Sequence, residues 1–347
     1  MPEFFYEDFV PGDVADFHGD RAITKEEIIR FAAAYDPQPF HLDEEAAKRS
    51  MLGGLCASGW HTCCLMMRLN YDTWISRTAS LGAPGIDEVR WAKPLRPGDR
   101  LTLRRKILNK RVSRNRPEMG LVAMEIDALN QAGEVILRQR HTQMVSPRDP
   151  ERAAAESAAS APVQSSAQSS TKAPDAAIAR VAAREGQKPF AGYLEDLQVG
   201  AYNELGSETF TRENIVAFAS QFDPQSFHLD EELAKTTHFG GLAASGWQTA
   251  CLWMRSAMAR RAAVQAQARA EGIETPEGGP SPGFLNLRWP KPVMLGDTVT
   301  YTTQIIDKRA TSKPGWGLAF HHNTGVNQRG ERVFEFRGSG FVRMRGA

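Results

Sequence analysis

Residues 36–48 read DPQPFHLDEEAAK, and residues 223–235 read DPQSFHLDEELAK, identical at eleven of thirteen positions. At the same offset of 187, GGLCASGWHTCCLMMR (53–68) returns as GGLAASGWQTACLWMR (240–255), with twelve of sixteen positions shared. RWAKPLRPGD at 90–99 returns as RWPKPVMLGD at 288–297, now offset by 198, and NQAG at 130–133 returns as NQRG at 327–330. The chain is therefore a tandem duplication, and the change of 11 places an insertion in the second copy within 257–283. Residues 1–147 form one domain and 189–347 the other. The intervening 148–188 holds 13 Ala, 6 Ser and no aromatic residue. So little apolar surface does not offset the ordering entropy of a chain, so this stretch is expected to be a flexible tether, with a short helix at 175–185.

Each copy has the same layout. Thr24 and Glu27 make a capping box ahead of Ile28, Phe31, Ala32 and Tyr35, which share one helical face. Thr211, Ile215, Phe218, Ala219 and Phe222 repeat the pattern. Pro37 and Pro224 disfavour helix at the preceding residue, so Asp36 and Asp223 are expected just past a helix end, at the start of an extended loop. Asp43 and Asp230 then read as N-caps of a short charged helix. WHTCCLMMRL and WQTACLWMRS are apolar on nearly all sides, as a buried helix is. The remainder alternates or carries β-branched runs, with NQAG as a hairpin turn. One buried helix against an antiparallel sheet, twice over, is an α+β architecture.

Asp36-Pro-Gln-Pro-Phe-His41, followed eighteen residues later by Gly59 within Ala57-Ser58-Gly59-Trp60, resembles the motifs of the MaoC-like (R)-specific enoyl-CoA hydratases. The resemblance covers both copies. It implies tandem hot-dog domains, each a long helix wrapped by a curved antiparallel sheet, the two paired as a pseudo-dimer. It also implies reversible addition of water to a trans-2-enoyl-CoA thioester, giving the (R)-3-hydroxyacyl-CoA. Carried over by position, Asp36 and His41, and again Asp223 and His228, are the catalytic pair, with the N–H groups of Gly59 and Gly246 as oxyanion donors. No metal or other cofactor is required, coenzyme A being part of the substrate.

The chemistry suits these groups. A carboxylate and an imidazole can hold a water from two sides and move its protons. A backbone N–H at a helix start supplies a hydrogen bond and the positive dipole end to a developing oxyanion. The sequence departs from the family at Gln38 and Gln225 (Asn), Ser58 and Ser245 (His), and Trp60 and Trp247 (Met), so these six are candidate substrate contacts. Many tandem relatives keep the Asp/His pair in one half; here both halves keep it, which nominates two sites. The plainer reading of Asp-Pro at a helix end is an Asx turn. A thioesterase on the same fold, or a non-catalytic acyl-thioester-binding protein, are the alternative functions.

Other signals are weaker. The seven cations between Arg104 and Arg116, with Arg104, Arg105 and Arg111 foremost, form either a solvated hairpin or a clamp for coenzyme A phosphates. His61, which becomes Gln248, reads as a helix-start polar residue, Cys63 and Cys64 as packing, KPLRPGD as a strand lead-in and turn, and His321 and His322 as structural. With 42 Lys and Arg against 41 Asp and Glu, the formal charge of +1 gives no field for nucleic acid or an anionic membrane. The N-terminal residues do not read as a signal peptide, no apolar run approaches a membrane span, and the four cysteines have no zinc or disulfide spacing. The expected setting is the cytoplasm, with an acyl-CoA substrate, an internal pseudo-dimer and scope for further homo-oligomerisation.

Overall fold

A computed structural model describes residues 2–159 and 192–346. In the first copy, strands β1 (Val14–Ala22), β2 (Gly85–Trp91), β3 (Arg100–Val112), β4 (Gly120–Leu129) and β5 (Val135–Val145) accompany helices α1 (Lys25–Tyr35), α2 (Pro39–Leu42), α3 (Glu44–Arg49) and α4 (Gly59–Thr73). Helix α5 (Pro150–Ala159) follows. The second copy repeats the order with β6 (Tyr202–Thr209), α6 (Arg212–Phe222), α7 (Ser226–Leu229), α8 (Glu231–Lys235), α9 (Gly246–Ala270), β7 (Gly283–Arg288), β8 (Thr298–Ala310), β9 (Trp316–Asn327) and β10 (Arg332–Arg343).

All ten strands join one antiparallel sheet in the order β1-β3-β4-β5-β2-β7-β10-β9-β8-β6. The copies meet at β2 and β7, from Gly85 opposite Arg288 to Arg90 opposite Gly283. Each strand would otherwise be an open edge, which pairing removes. The approach is close: a Cβ at Gly85 would stand 2.2 Å from the Leu287 carbonyl oxygen, and one at Gly283 2.1 Å from that of Val89. Behind the junction, α4 and α9 cross where repeat-equivalent Cys64 and Cys251 bring their sulfurs within 3.7 Å. Phe31 meets Phe222 edge to face, Tyr35 meets Phe218, and Trp60 stacks on Phe284, so one hydrophobic core runs through both copies. The pairing into a double hot dog is thus within one chain.

The local expectations hold at the helix starts. Thr24 Oγ1 accepts the Glu27 N–H at 3.1 Å while the Glu27 carboxylate accepts the Thr24 N–H at 3.0 Å. Asp43 and Asp230 cap α3 and α8. Gly133 and Gly330 take the left-handed conformation, at φ 75° and 76°, that the NQAG and NQRG turns demand.

Two expectations need correction, and the insertion gains a structure. The loop after Asp36 is not extended: Pro39–Leu42 and Ser226–Leu229 each form a single helical turn bearing the histidine. The interdomain stretch does not begin as a tether: Pro150–Ala159 is helical, and Ala153 is buried in the core. Alanine is the best helix former, and one buried face is enough to anchor a short helix. The stretch from 160 to 188, including the helix expected at 175–185, lies outside the described residues. The insertion, finally, is largely helix: α9 has 25 residues where α4 has 15, so it continues past the position of Thr73 (Arg260) from Arg261 onward.

Candidate active site

Helix α1 ends at Asp36, whose backbone (φ −147°, ψ 65°) leaves the helical region; Asp223 does the same at φ −150°, ψ 65°. The turn of α2 then brings the imidazole of His41 back over the carboxylate. His41 Nε2 lies 3.7 Å from Asp36 Oδ2, and His228 Nε2 lies 3.4 Å from Asp223 Oδ2. All four side chains are buried. His41 Nδ1 is 2.8 Å from the Cys56 carbonyl oxygen and His228 Nδ1 is 2.7 Å from that of Ala243. A carbonyl only accepts, so Nδ1 carries a hydrogen in both copies and Nε2 is the ring atom that faces the carboxylate.

Each carboxylate is held by its own copy. Gln38 Nε2 donates to Asp36 Oδ1 at 2.9 Å and Ser58 Oγ donates to Oδ2 at 2.6 Å; Gln225 and Ser245 do the same for Asp223 at 2.9 and 2.7 Å. Burial raises the Asp223 carboxyl, but the facing His228 and these hydrogen bonds outweigh it and hold the carboxyl below its ordinary range. Burial pushes His41 below the usual imidazole range, against the opposing pull of Asp36 and of the Cys56 carbonyl. In the first copy the neutral His41 imidazole and the Asp36 carboxylate offer two acceptors across 3.7 Å. Both can take a hydrogen from the same water.

Helix α4 starts beside this pair, and the N–H groups of Gly59 and Gly246 donate to no described residue. The glycines are required by packing: a Cβ would stand 2.5 Å from the Trp91 ring, and at Gly246 2.4 Å from that of Trp289. The repeat tryptophans of RWAKP and RWPKP thus impose glycine at both helix starts.

Two cavities open from these pairs. One, of about 340 Å³, is lined by Asp36, Gln38, His41, Gly59 and Trp60 of the first copy and by Trp253, Arg261, Phe284, His321 and Asn323 of the second. The other, of about 250 Å³, is lined by Asp223, Gln225, His228, Gly246 and Trp247 with Met67, Asn70, Gln139, His141 and Gln143 of the first copy. Each copy therefore completes the other's cavity. Sequence reasoning missed these partner residues, together with Trp91, Lys93, Trp289 and Lys291; repetition of RW-x-KP in both copies was the available signal.

Several expected site residues have other duties. Ser58 and Ser245 are fully buried behind the carboxylates and line neither cavity, so they position Asp36 and Asp223 instead of meeting substrate. Arg104 forks onto Asp16 at 2.9 and 2.8 Å. Arg105 points inward among Phe9, Phe17 and Trp74, and burial lowers its pKa to about 10. Arg111 sits in a separate surface hollow with Ser113 and Arg114. None of the three lines a catalytic cavity, because alternation on β3 sends Arg105 inside and Arg104 across to β1. His61 is buried, stacked at 4.2 Å on Phe31, and its pKa is pressed down to about 3 by burial, consistent with a packing role. His321 departs from the structural reading by lining the first cavity, whereas His322 faces Glu335 at 3.7 Å. Among the described residues, no three His, Cys, Asp or Glu side chains are clustered to hold a metal ion, and no helix is long and apolar enough to cross a membrane.

Residues 8–127 and 200–316 both match the MaoC like domain family. The chain belongs to the MaoC-like dehydratase family. Known structures agree with the fold. A MaoC-domain protein of Chloroflexus aurantiacus J-10-fl superposes with a TM-score of 0.74 at 16% identity, over 100% of this chain and 99% of the other. A conserved hypothetical protein of Mycobacterium tuberculosis with a double hot-dog fold gives 0.67 at 14% identity, over 97% of both chains. An uncharacterized Bacillus subtilis (strain 168) protein, YdeM, is 29% identical over 109 residues, 31% of this chain and 76% of its own.

Proposed function

We propose that the protein reversibly hydrates trans-2-enoyl-CoA thioesters to (R)-3-hydroxyacyl-CoA, at both Asp/His pairs. The reading rests above all on one arrangement, present twice. An imidazole Nε2 and a carboxylate Oδ2 converge within 3.7 and 3.4 Å in the lining of a cavity, beside a helix-start N–H that donates to no described residue. Membership of the MaoC-like dehydratases supports hydration or dehydration as the reaction type.

The steps follow from the geometry. The thioester oxygen accepts the Gly59 N–H, which draws electron density from the β-carbon. Water between His41 and Asp36 donates one hydrogen to each, and its oxygen bonds to the β-carbon while the pair takes one proton. Electrons of the carbon–carbon double bond move onto the thioester oxygen, where the N–H and the α4 dipole stabilise the charge. The pair returns a proton to the α-carbon as the enolate collapses, so H and OH are added and the catalyst is regenerated. Gln38 and Ser58 hold the carboxylate throughout, and the Cys56 carbonyl holds the imidazole tautomer. In the second copy Gln225, Ser245 and Ala243 do the same.

The test is incubation with a panel of enoyl-CoA thioesters, following enoyl absorbance, free thiol and product mass. Loss of absorbance with one added water and no free thiol is expected. Free thiol would make the protein a thioesterase, and unchanged ligand a binding protein.

A further inference from the structure

The two cavities end in different chemistry. In the first, Trp253, Met254, Ala257, Met258 and Arg261 line one side. These positions recur as on one helical face, and the run from Trp253 to Arg261 spans about 12 Å at 1.5 Å per residue. Trp253 touches Trp60, the neighbour of the Gly59 donor, at 6.2 Å between ring centroids. Arg261 therefore lies toward the far end of the cavity from the reacting groups.

No described residue gives Arg261 a hydrogen bond or ion pair, and exposed Glu277 is the acidic group facing it. Burial disfavours its charge. It lies against Gly278, where a Cβ would come within 2.1 Å of a guanidinium nitrogen. Asn323, which lines the same cavity, is 1% exposed; its Oδ1 accepts the Thr303 hydroxyl at 2.7 Å, while its Nδ2 donates to no described residue. Trp253 Nε1 is likewise buried without an acceptor. The wall is rich in donors, and Asp36, held at the catalytic end, is its one acidic member. The unfilled buried donors of Asn323 and Trp253 are costly, and the half-buried Arg261 presents a fork of guanidinium N–H groups that matches a carboxylate, which only accepts.

The second cavity lacks this. Its Asn70 Oδ1 takes the Trp74 indole N–H, Gln143 Nε2 donates to Ser80 and Gly82, and Gln139 Nε2 pairs with His141. Helix α4 ends at Thr73, and Trp74 stands at the position that Arg261 holds in the second copy. The difference traces to the insertion in the second copy, which lines the first copy's site.

We propose that the Asp36/His41 cavity selects enoyl-CoA thioesters whose acyl chain ends in a carboxylate, held by Arg261 and Asn323, while the Asp223/His228 cavity takes uncharged chains. This rests on the hydratase reading for its chemistry. Its recognition step does not. Binding and turnover are therefore measured separately on the full chain.

Calorimetry compares adipyl-CoA with hexanoyl-CoA, neither of which can be hydrated. Arg261→Gln should weaken adipyl-CoA at one site by about 10- to 100-fold and leave hexanoyl-CoA unchanged. Arg261→Lys should restore part of the loss. In a His228→Ala background, which isolates the first site, kcat/KM should favour 2,3-dehydroadipyl-CoA over trans-2-hexenoyl-CoA, and Arg261→Gln should erase that preference. Adipyl-CoA binding that depends on Arg261, without turnover of any enoyl-CoA, would uphold the cavity and remove the hydratase. Turnover with Arg261→Gln lowering both substrates alike, or neither, would overturn the inference and leave the hydratase standing.

Discussion

The Asp36/His41 and Asp223/His228 sites share the atoms proposed to be catalytic and differ in their far walls. Histidine tautomer, carboxylate support and the glycine pressed on a tryptophan are the same to within a few tenths of an ångström. Beyond Trp60 and Trp247 the likeness ends, because each wall comes from the opposite copy. Duplicates of one gene are free to diverge there without touching the chemistry. Gly338 and Gly340 in the first cavity stand at the repeat positions of His141 and Gln143 in the second, and the first has the larger volume, about 340 against 250 Å³. An insertion in one copy thus shapes the wall of the other copy's cavity.

The largest way to sharpen this comparison is to remove one carboxylate at a time. Asp36→Ala and Asp223→Ala should each lower turnover at their own site by about 100-fold or more, leaving the other site's substrates untouched. Separate titration of carboxylated and uncharged enoyl-CoA substrates reads the two losses independently.

Gly59→Ala and Gly246→Ala come next. The added methyl meets an indole at 2.5 and 2.4 Å, so each should cost about 1–3 kcal/mol of stability, seen in denaturant melts. Equal costs would show the two sites are built alike. A free substitution at one of them would break that symmetry.

Acid should act more gradually. Burial lowers the pKa of His61 to about 3, and those of His141 and His321 to about 4. Between these values and the unfolded value of about 6.5, the unfolded chain binds more protons than the folded one. Stability is therefore full above about pH 6.5 and falls as pH drops through the window, by about 1.4 kcal/mol per pH unit for each histidine. Melts from pH 7.5 to 4.5 measure the slope. His61→Gln, the residue the second copy already uses, should reduce it by one proton.

The smallest expected effect is at the cation run. Arg104 is taken up by Asp16 at the surface and Arg111 lies away from both cavities, so Ala at either should leave KM for coenzyme A substrates within about twofold and shift stability by less than about 1 kcal/mol. A tenfold rise in KM would return these residues to phosphate binding.

Much of this was legible in the residues. The duplication, Thr24 and Glu27 as a capping box, Asp36 past a helix end, and a greasy helix after Gly59 are local patterns, and local patterns survive into structure. His41 on its own helical turn was not. Pro39 suits the first position of a helix and an extended loop equally well, and four residues are too few for a period to decide between them. Nor was the exchange of walls between copies legible. Which residues of β9 face Asp36 depends on β2 pairing with β7, a contact nearly two hundred positions apart. Arg105 was misplaced for the same reason: its inward direction is set by sheet register.

The most direct test of the account is the activity of His41→Ala, His228→Ala and the double variant on one panel of enoyl-CoA substrates. Each single variant should retain the fraction of hydration carried by the other site, and only the double variant should fall to background. One single variant already at background, with the other folded and fully active on every substrate, would contradict the claim of two working sites.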